Sequence, residues 1–174
     1  MNSDGRKGVE SMQSWFRKDL IFFSDRKTQE EVFRDIGGIL FNKGLVKRRF
    51  VRSLFKRESD YPTGLDLSAV ARDLPNVAIP HTEAEYCADQ AIAIVKLNRE
   101  IAFKNMISPE KEIKVKYLFF IINHEKESQS HILSRLMEIF TDEKRMKRFD
   151  ALDDQTEIYH FFTTKQSERS VSND

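Results

Sequence analysis

Short apolar runs alternate along the chain with longer stretches whose apolar residues recur every three or four positions. The short runs predict strands: "DLIFF" (19–23), "NVAI" (76–79), "AIAIVKL" (91–97) and "VKYLFFII" (115–122). The periodic stretches predict helices. Over 28–44, Val32, Ile36, Ile39 and Leu40 share one face. Thr28 stands where a cap belongs, Glu31 can reach back as in a capping box, and Gly44 ends the helix. The Gly37-Gly38 pair weakens this helix, unless another backbone packs closely there. Over 47–58, Phe50, Val51, Leu54 and Phe55 fall on one stripe with basic residues opposite, and "SDYPTG" breaks the helix. Over 128–140, Ile132, Leu133, Leu136, Met137 and Phe140 point inward, with Ser128 or Ser130 as cap. Short helices are predicted at 142–151 and 154–163. Strands alternating with helices indicate an α/β layered domain. One domain is predicted over 13–164, with a flexible N-terminus (1–12) and a flexible polar tail (165–174). No repeat, low-complexity segment or interdomain linker interrupts it.

Composition narrows the class. A chain of 174 residues, 40% hydrophobic and 33% charged, can build a sizeable core and is not a disordered one. Lys and Arg number 29 and Asp and Glu 28, a net charge of +1. No bulk charge therefore calls for nucleic acid or an anionic membrane, and a charge-driven partner must use a local patch. Cys87 is the single cysteine. It cannot form an internal disulfide or a cysteine zinc cluster, and it fits a reducing cytoplasm. The N-terminus lacks the apolar stretch of a secretory signal, and "YLFFII" (117–122) is too short to span a bilayer.

Candidate chemistry is sparse. No Walker-type loop, dinucleotide fingerprint or hydrolase motif is present, which disfavours an ATP- or NAD-dependent enzyme. The histidines at 81, 124, 131 and 160 form no close pair at helical ligand spacing. The stretch from Lys47 to Arg57 interleaves basic and aromatic residues, as an RNA-binding helix would; near-zero net charge favours a solvated amphipathic face instead. His131 falls in the first turn of a helix capped by Ser128, where backbone N–H groups favour anions. His81 follows Pro80, which has no N–H for a strand ladder, so the chain leaves the sheet there. Strand ends of α/β sheets are where sites collect. The residues taken alone leave a soluble α/β domain with two candidate histidines.

Two segments in order add a resemblance. "RESDYPTG" (57–64) and "NVAIPHTEAEY" (76–86) give Arg-Glu, a short gap, Thr-Gly, a loop, then Ala-Ile-Pro-His. This is similar to the IIA components of the bacterial sugar phosphotransferase system, in the fructose–mannitol superfamily. The longer loop before the histidine is most like the galactitol-type branch. "LIFF", "NKGLV" and "HILSRL" fall where that family places them, so the resemblance covers nearly the whole domain.

The resemblance implies a single-domain mixed β-sheet with helices on both faces. It implies a phosphoryl carrier, which accepts the group from phosphorylated HPr and hands it to a cognate IIB, whose acceptor in the galactitol branch is a cysteine. A membrane IIC component then moves the sugar. His81 matches the family's phosphorylated histidine, carrying the group on Nε2. Arg57 matches the arginine of the Arg-Glu pair, and His131 a second active-site histidine. Backbone N–H groups near Thr63 and Gly64 are expected to help cradle the phosphoryl oxygens. No metal, nucleotide or other cofactor is needed, and no nucleic acid is expected as partner. Regulatory IIA proteins, which signal through their phosphorylation state without feeding a transporter, are the alternative. An RNA-binding domain using the basic helix is a third reading.

Overall fold

The computed structural model describes residues 12–164. Residues 1–11 and 165–174 lie outside it, and with them nearly all of the two ends expected to be flexible. Two strands form the centre: β4 (Gln90–Lys104) and β5 (Glu112–Asn123), an antiparallel pair in which Ile92 faces Ile121 and Ile94 faces Phe119. β1 (Phe16–Ser24) runs parallel to β4 on the outer side. β3 (Val77–Ala78) runs parallel to β5, and β2 (Gly64–Leu65) pairs antiparallel with β3. The order β1-β4-β5-β3-β2 is the mixed sheet expected.

Side chains alternate across this sheet, and each face buries its own cluster. Ile92, Ile94 and Phe119 meet α3 (Gln129–Phe140), α4 (Glu143–Asp150) and α5 (Gln155–Thr163). There Phe119 lies 4.9 Å from Phe140 and Phe149 lies 5.2 Å from Phe162, ring centre to ring centre. Ala91, Ala93, Val95 and Phe120 meet α1 (Gln29–Asn42) and α2 (Phe50–Asp60). Phe33 of α1 centres that cluster, touching the rings of Phe55, Phe103 and Phe120. Burial on both faces explains why the strands read as apolar runs rather than as strict alternation.

Local chemistry sets the ends of α1. The Thr28 hydroxyl accepts from the Glu31 N–H at 3.1 Å, and the Glu31 carboxylate reaches back to the Lys27 N–H at 2.9 Å. At the other end Gly44 has φ +76°, its N–H donates to Phe41 O, and Leu45 N–H donates to Leu40 O. This is the paired bonding of a Schellman stop. α2 starts at Phe50, three residues later than expected, because Arg48 and Arg49 form a turn. It runs on to Asp60, through the Ser-Asp read as a breaker; the block is Pro62, which keeps Tyr61 out of the helical region.

Both central strands outrun the predicted spans. β4 carries exposed Asn98, Arg99 and Glu100, and the register shifts between Lys96 and Ile101. Beyond that irregularity Ile101 and Phe103 are buried again. A bulge hides the continuation, because the period-2 pattern restarts after it.

The helix-weakening glycines are not equivalent. A Cβ on Gly37 would lie 2.4 Å from Val51 Cγ2 of α2, whereas one on Gly38 would meet nothing within 4 Å. Gly37→Ala should therefore destabilise the protein by about 1–3 kcal/mol through overpacking. Gly38→Ala should stabilise it by about 0.5–1 kcal/mol through helix propensity. Urea denaturation of both variants checks this, and Val51→Ala combined with Gly37→Ala should recover part of the loss.

Candidate functional site

β3 and β5 run parallel, so their carboxyl ends open at the same edge of the sheet, where α3 also begins. His81 stands just beyond β3. Pro80 cannot donate, but its carbonyl accepts from the Ile121 N–H at 3.1 Å, which pins the exit of the strand to β5. The His81 ring turns back on its own chain, with Nδ1 2.7 Å from Ile79 O. A carbonyl only accepts, so Nδ1 carries the hydrogen and Nε2 keeps its lone pair. Burial lowers the His81 pKa below its ordinary 6.5; the Ile79 bond opposes the shift, and the Arg57 charge adds to it. The ring is thus neutral at pH 7, with Nε2 as a free nucleophile.

A cleft of about 620 Å³ opens in front of it, lined among others by His81, Arg57, Glu83, Asn123, Gln129 and Ser130. Arg57 comes from the last turn of α2. Its guanidinium donates to Glu83 at 3.2 Å and covers the Tyr61 ring at 4.9 Å, while the Ser53 hydroxyl donates to the other Glu83 oxygen at 2.9 Å. Glu83 therefore ties the loop after His81 to α2. Arg57 Nε is buried and has no hydrogen-bond partner among the described residues. A planar fork held on one side by a carboxylate keeps donors for a second anion.

The opposite wall is the start of α3. Buried Asn123, the last residue of β5, donates to Ser128 Oγ and to Gln129 Oε1 at 2.9 Å. The chain turns through a 3₁₀ segment at Lys126–Ser128 and runs directly into α3. Ser128 already has helical backbone angles, makes no side-chain cap, and donates its hydroxyl to Glu125 O. The expected serine cap at Ser128 is therefore absent, since the helical path begins before it.

The expected site residues separate into two groups. The structure brings His81 and Arg57 together in the cleft. It does not bring His131 there. Gln129, Ser130 and Leu133 line the cleft, while His131 is exposed and is not among the lining residues. Thr63 and Gly64 do not line the cleft either, which corrects the expectation of a backbone cradle. The Thr63 N–H is taken by the Glu58 carboxylate at 2.9 Å. Gly64 sits in β2 against the β4–β5 hairpin, where an added Cβ would lie 2.6 Å from Lys104 O. That glycine is demanded by close backbone packing.

Glu83, Asn123, Gln129 and Ser130 are cleft residues that the sequence does not mark as such. Glu83 has a signal, an acid two residues past a candidate histidine; Ser130 reads only as a helix cap, and Asn123 and Gln129 are ordinary polar residues. Glu58 was visible only as the second half of an Arg-Glu pair. It is 6% exposed, and burial pushes its pKa up to about 7 against the lowering effect of its bonds to Thr63. Among the described residues no group of three His, Cys, Asp or Glu side chains is placed to hold a metal ion, and no helix is long and apolar enough to cross a membrane.

Comparison with known proteins gives a consistent picture. The family described as "Phosphoenolpyruvate-dependent sugar phosphotransferase system, EIIA 2" matches residues 14–165. The galactitol-specific EIIA component of Escherichia coli K12 is 28% identical over 122 residues, covering 70% of this chain and 75% of that protein. The fold resembles enzyme IIAMTL in its solved complex with phosphorylated enzyme IIBMTL from Escherichia coli. Its TM-score is 0.65 at 19% identity, over 84% of this chain and 97% of that one. It also resembles the nitrogen regulatory protein IIA-Ntr from Neisseria meningitidis, with TM-score 0.65 at 18% identity, over 88% and 99% of the two chains.

The buried acid makes stability depend on pH in a defined direction. Glu58 has a raised folded pKa, so its contribution is most favourable below the unfolded value of 4.5 and is lost as pH rises through about 7. Glu58→Gln does not titrate. The unfolding free energy of this variant relative to wild type should therefore rise by about 2–3 kcal/mol between pH 5 and pH 8. Urea denaturation at the two pH values measures it, and a constant difference would contradict the raised pKa.

Proposed function

The chain belongs to the EIIA 2 family of the phosphoenolpyruvate-dependent sugar phosphotransferase system, and from that premise we propose that it carries a phosphoryl group on His81 Nε2. In this reading phosphorylated HPr is the donor, a cognate IIB protein the acceptor, and a membrane IIC component the transporter they serve, with the IIA chain in the cytoplasm. The galactitol-specific relatives support a galactitol-like polyol as the transported sugar. The solved IIA–IIB complex of a fold relative supports a IIB acceptor.

The observation that carries the proposal is the Ile79 carbonyl on Nδ1. It leaves Nε2 facing reagents with its lone pair in place. That lone pair attacks phosphorus, the Nε2–P bond forms as the donor's N–P bond breaks, and the donor ring recovers the electron pair. The Nδ1 hydrogen stays where it is, and the carbonyl stabilises the positive charge that develops on the ring. Arg57 offsets negative charge on the phosphoryl oxygens. Transfer of this kind depends on positioning and charge rather than on a strong base. The return step to IIB runs the same geometry in reverse, with the acceptor nucleophile attacking from the open side of the cleft.

Labelled phosphoenolpyruvate, enzyme I and HPr test the reading. Wild type should take up acid-labile, base-stable label, and His81→Ala none. Label on His81→Ala equal to wild type would sink the proposal. Arg57→Gln should slow uptake by about 10²-fold, the order seen when one charge-stabilising donor is removed. His131→Ala should keep most of the rate, because His131 is not among the residues that line the cleft. Uptake should fall at low pH with a midpoint below 6.5, as His81 becomes protonated. Discharge of the label by a cognate IIB supports transport; label that no IIB removes points to the regulatory role.

A further inference from the structure

We infer that Glu58 is a positioning residue for His81, acting through the Thr63 hydroxyl and the Ile79 backbone to hold the ring with Nε2 outward. The inference rests on the reading of His81 as the phosphoryl acceptor. Its parts form one continuous chain of hydrogen bonds. The Glu58 carboxylate accepts from the Thr63 N–H at 2.9 Å and from the Thr63 hydroxyl at 2.8 Å. The hydroxyl then accepts from the Ile79 N–H at 3.2 Å, a hydrogen it shares with the Thr63 carbonyl at 3.3 Å, and the Ile79 carbonyl accepts from His81 Nδ1 at 2.7 Å.

Direction along this chain is set at the Ile79 N–H. A backbone N–H can only donate, so the Thr63 hydroxyl oxygen accepts from it and its single hydrogen is left for a Glu58 oxygen, whether the acid is ionised or protonated. The hydroxyl lone pairs are then turned to the Ile79 N–H. With that N–H held, Ile79 has little freedom left. The following proline restricts it to extended angles, and the Pro80 carbonyl is fixed in turn by the Ile121 N–H at 3.1 Å. The Ile79 carbonyl therefore points one way, and His81 must offer it Nδ1–H. Ile79 itself is fully buried, so without the hydroxyl its N–H has only the longer bond to the Thr63 carbonyl, and solvent cannot take the hydroxyl's place.

Burial of an acid at this place is costly, and its carboxyl offsets part of that cost by accepting from the Thr63 N–H and hydroxyl. The carboxylate spans an interval that packing alone does not control. It joins the end of α2, which also supplies Arg57, to the end of β3, which supplies His81. One residue pair, Arg57-Glu58, thereby serves both sides of the site: Arg57 faces the cleft and Glu58 faces the interior behind it.

The test uses the full chain with Thr63→Val, which removes the hydroxyl, keeps the shape and retains the backbone N–H bond to Glu58. Three readouts are taken: thermal melting, the ¹⁵N shifts of the His81 ring, and single-turnover uptake from phosphorylated HPr. The expected result is a folded protein whose His81 ring populates both neutral tautomers. Its uptake at saturating donor should be about tenfold slower, with the half-saturating donor concentration unchanged. Thr63→Ser should restore ring shifts and rate together. Wild-type ring shifts and rate in folded Thr63→Val would overturn the inference. So would a rate loss that appears only as weaker donor binding, or one that Thr63→Ser does not restore. Should Thr63→Val fail to fold, Glu58→Gln takes its place. Its amide offers N–H as well as oxygen to Thr63, so the same tautomer mixing is expected, and an unmixed ring would refute the network. If wild type takes up no phosphoryl group at all, the carrier reading fails, while the ring shifts of the variants still decide whether Glu58 positions His81.

Discussion

Burial of the β4–β5 pair on both faces is the constraint from which the rest of the molecule follows. Each strand must find apolar cover above and below, so helices are required on both sides: α3, α4 and α5 on one, α1 and α2 on the other. Phe33 and Phe119 show how the two layers are filled, each ring sitting among several others. The same requirement explains the close approach of α2 to Gly37, where no side chain fits between the helices. β3 and β2 are only two residues each. They hold their place because they extend an edge already fixed by β5.

The site is a product of that edge. Parallel pairing of β3 with β5 brings the residues after β3 beside the residues that start α3. Proline at 80 ends the ladder there, and His81 is presented where backbone partners still hold it on one side. Burial then acts on the titratable groups in opposite senses. It depresses the His81 pKa and keeps that ring neutral and nucleophilic, and it raises the proton affinity of Glu58 behind it. Arg57 is held at the cleft by its salt bridge to Glu83. A neutral nucleophile beside a fixed cation suits a group that arrives carrying negative charge.

Much of the fold was legible in the sequence because its signals are local. The α1 stop is written in Gly44 and Leu45, and the α1 start in Thr28 and Glu31, all within one turn of the helix end they control. The apolar runs of β4 and β5 announce two-sided burial directly. Signals failed where the pattern was broken or very short. The bulge after Lys96 concealed the outer half of β4, and Gly64-Leu65 is too brief to show a period.

By itself, the sequence determined the α/β class, the central strands, the helices and the pairing of Arg57 with His81 as candidates. Periodicity, caps and the proline-ended strand are carried by neighbouring residues, and the ordered motifs pointed to the family. Only the tertiary structure decided which side chains meet. It left His131 out of the cleft lining, gave the Thr63 N–H to Glu58, and filled the cleft wall with Asn123, Gln129 and Ser130. The physical reason is that a side chain's direction at a site depends on how separate elements dock. The bonds that fix His81 join α2, the loop after it and the end of β3, and partners so far apart in the chain leave no periodic trace in it.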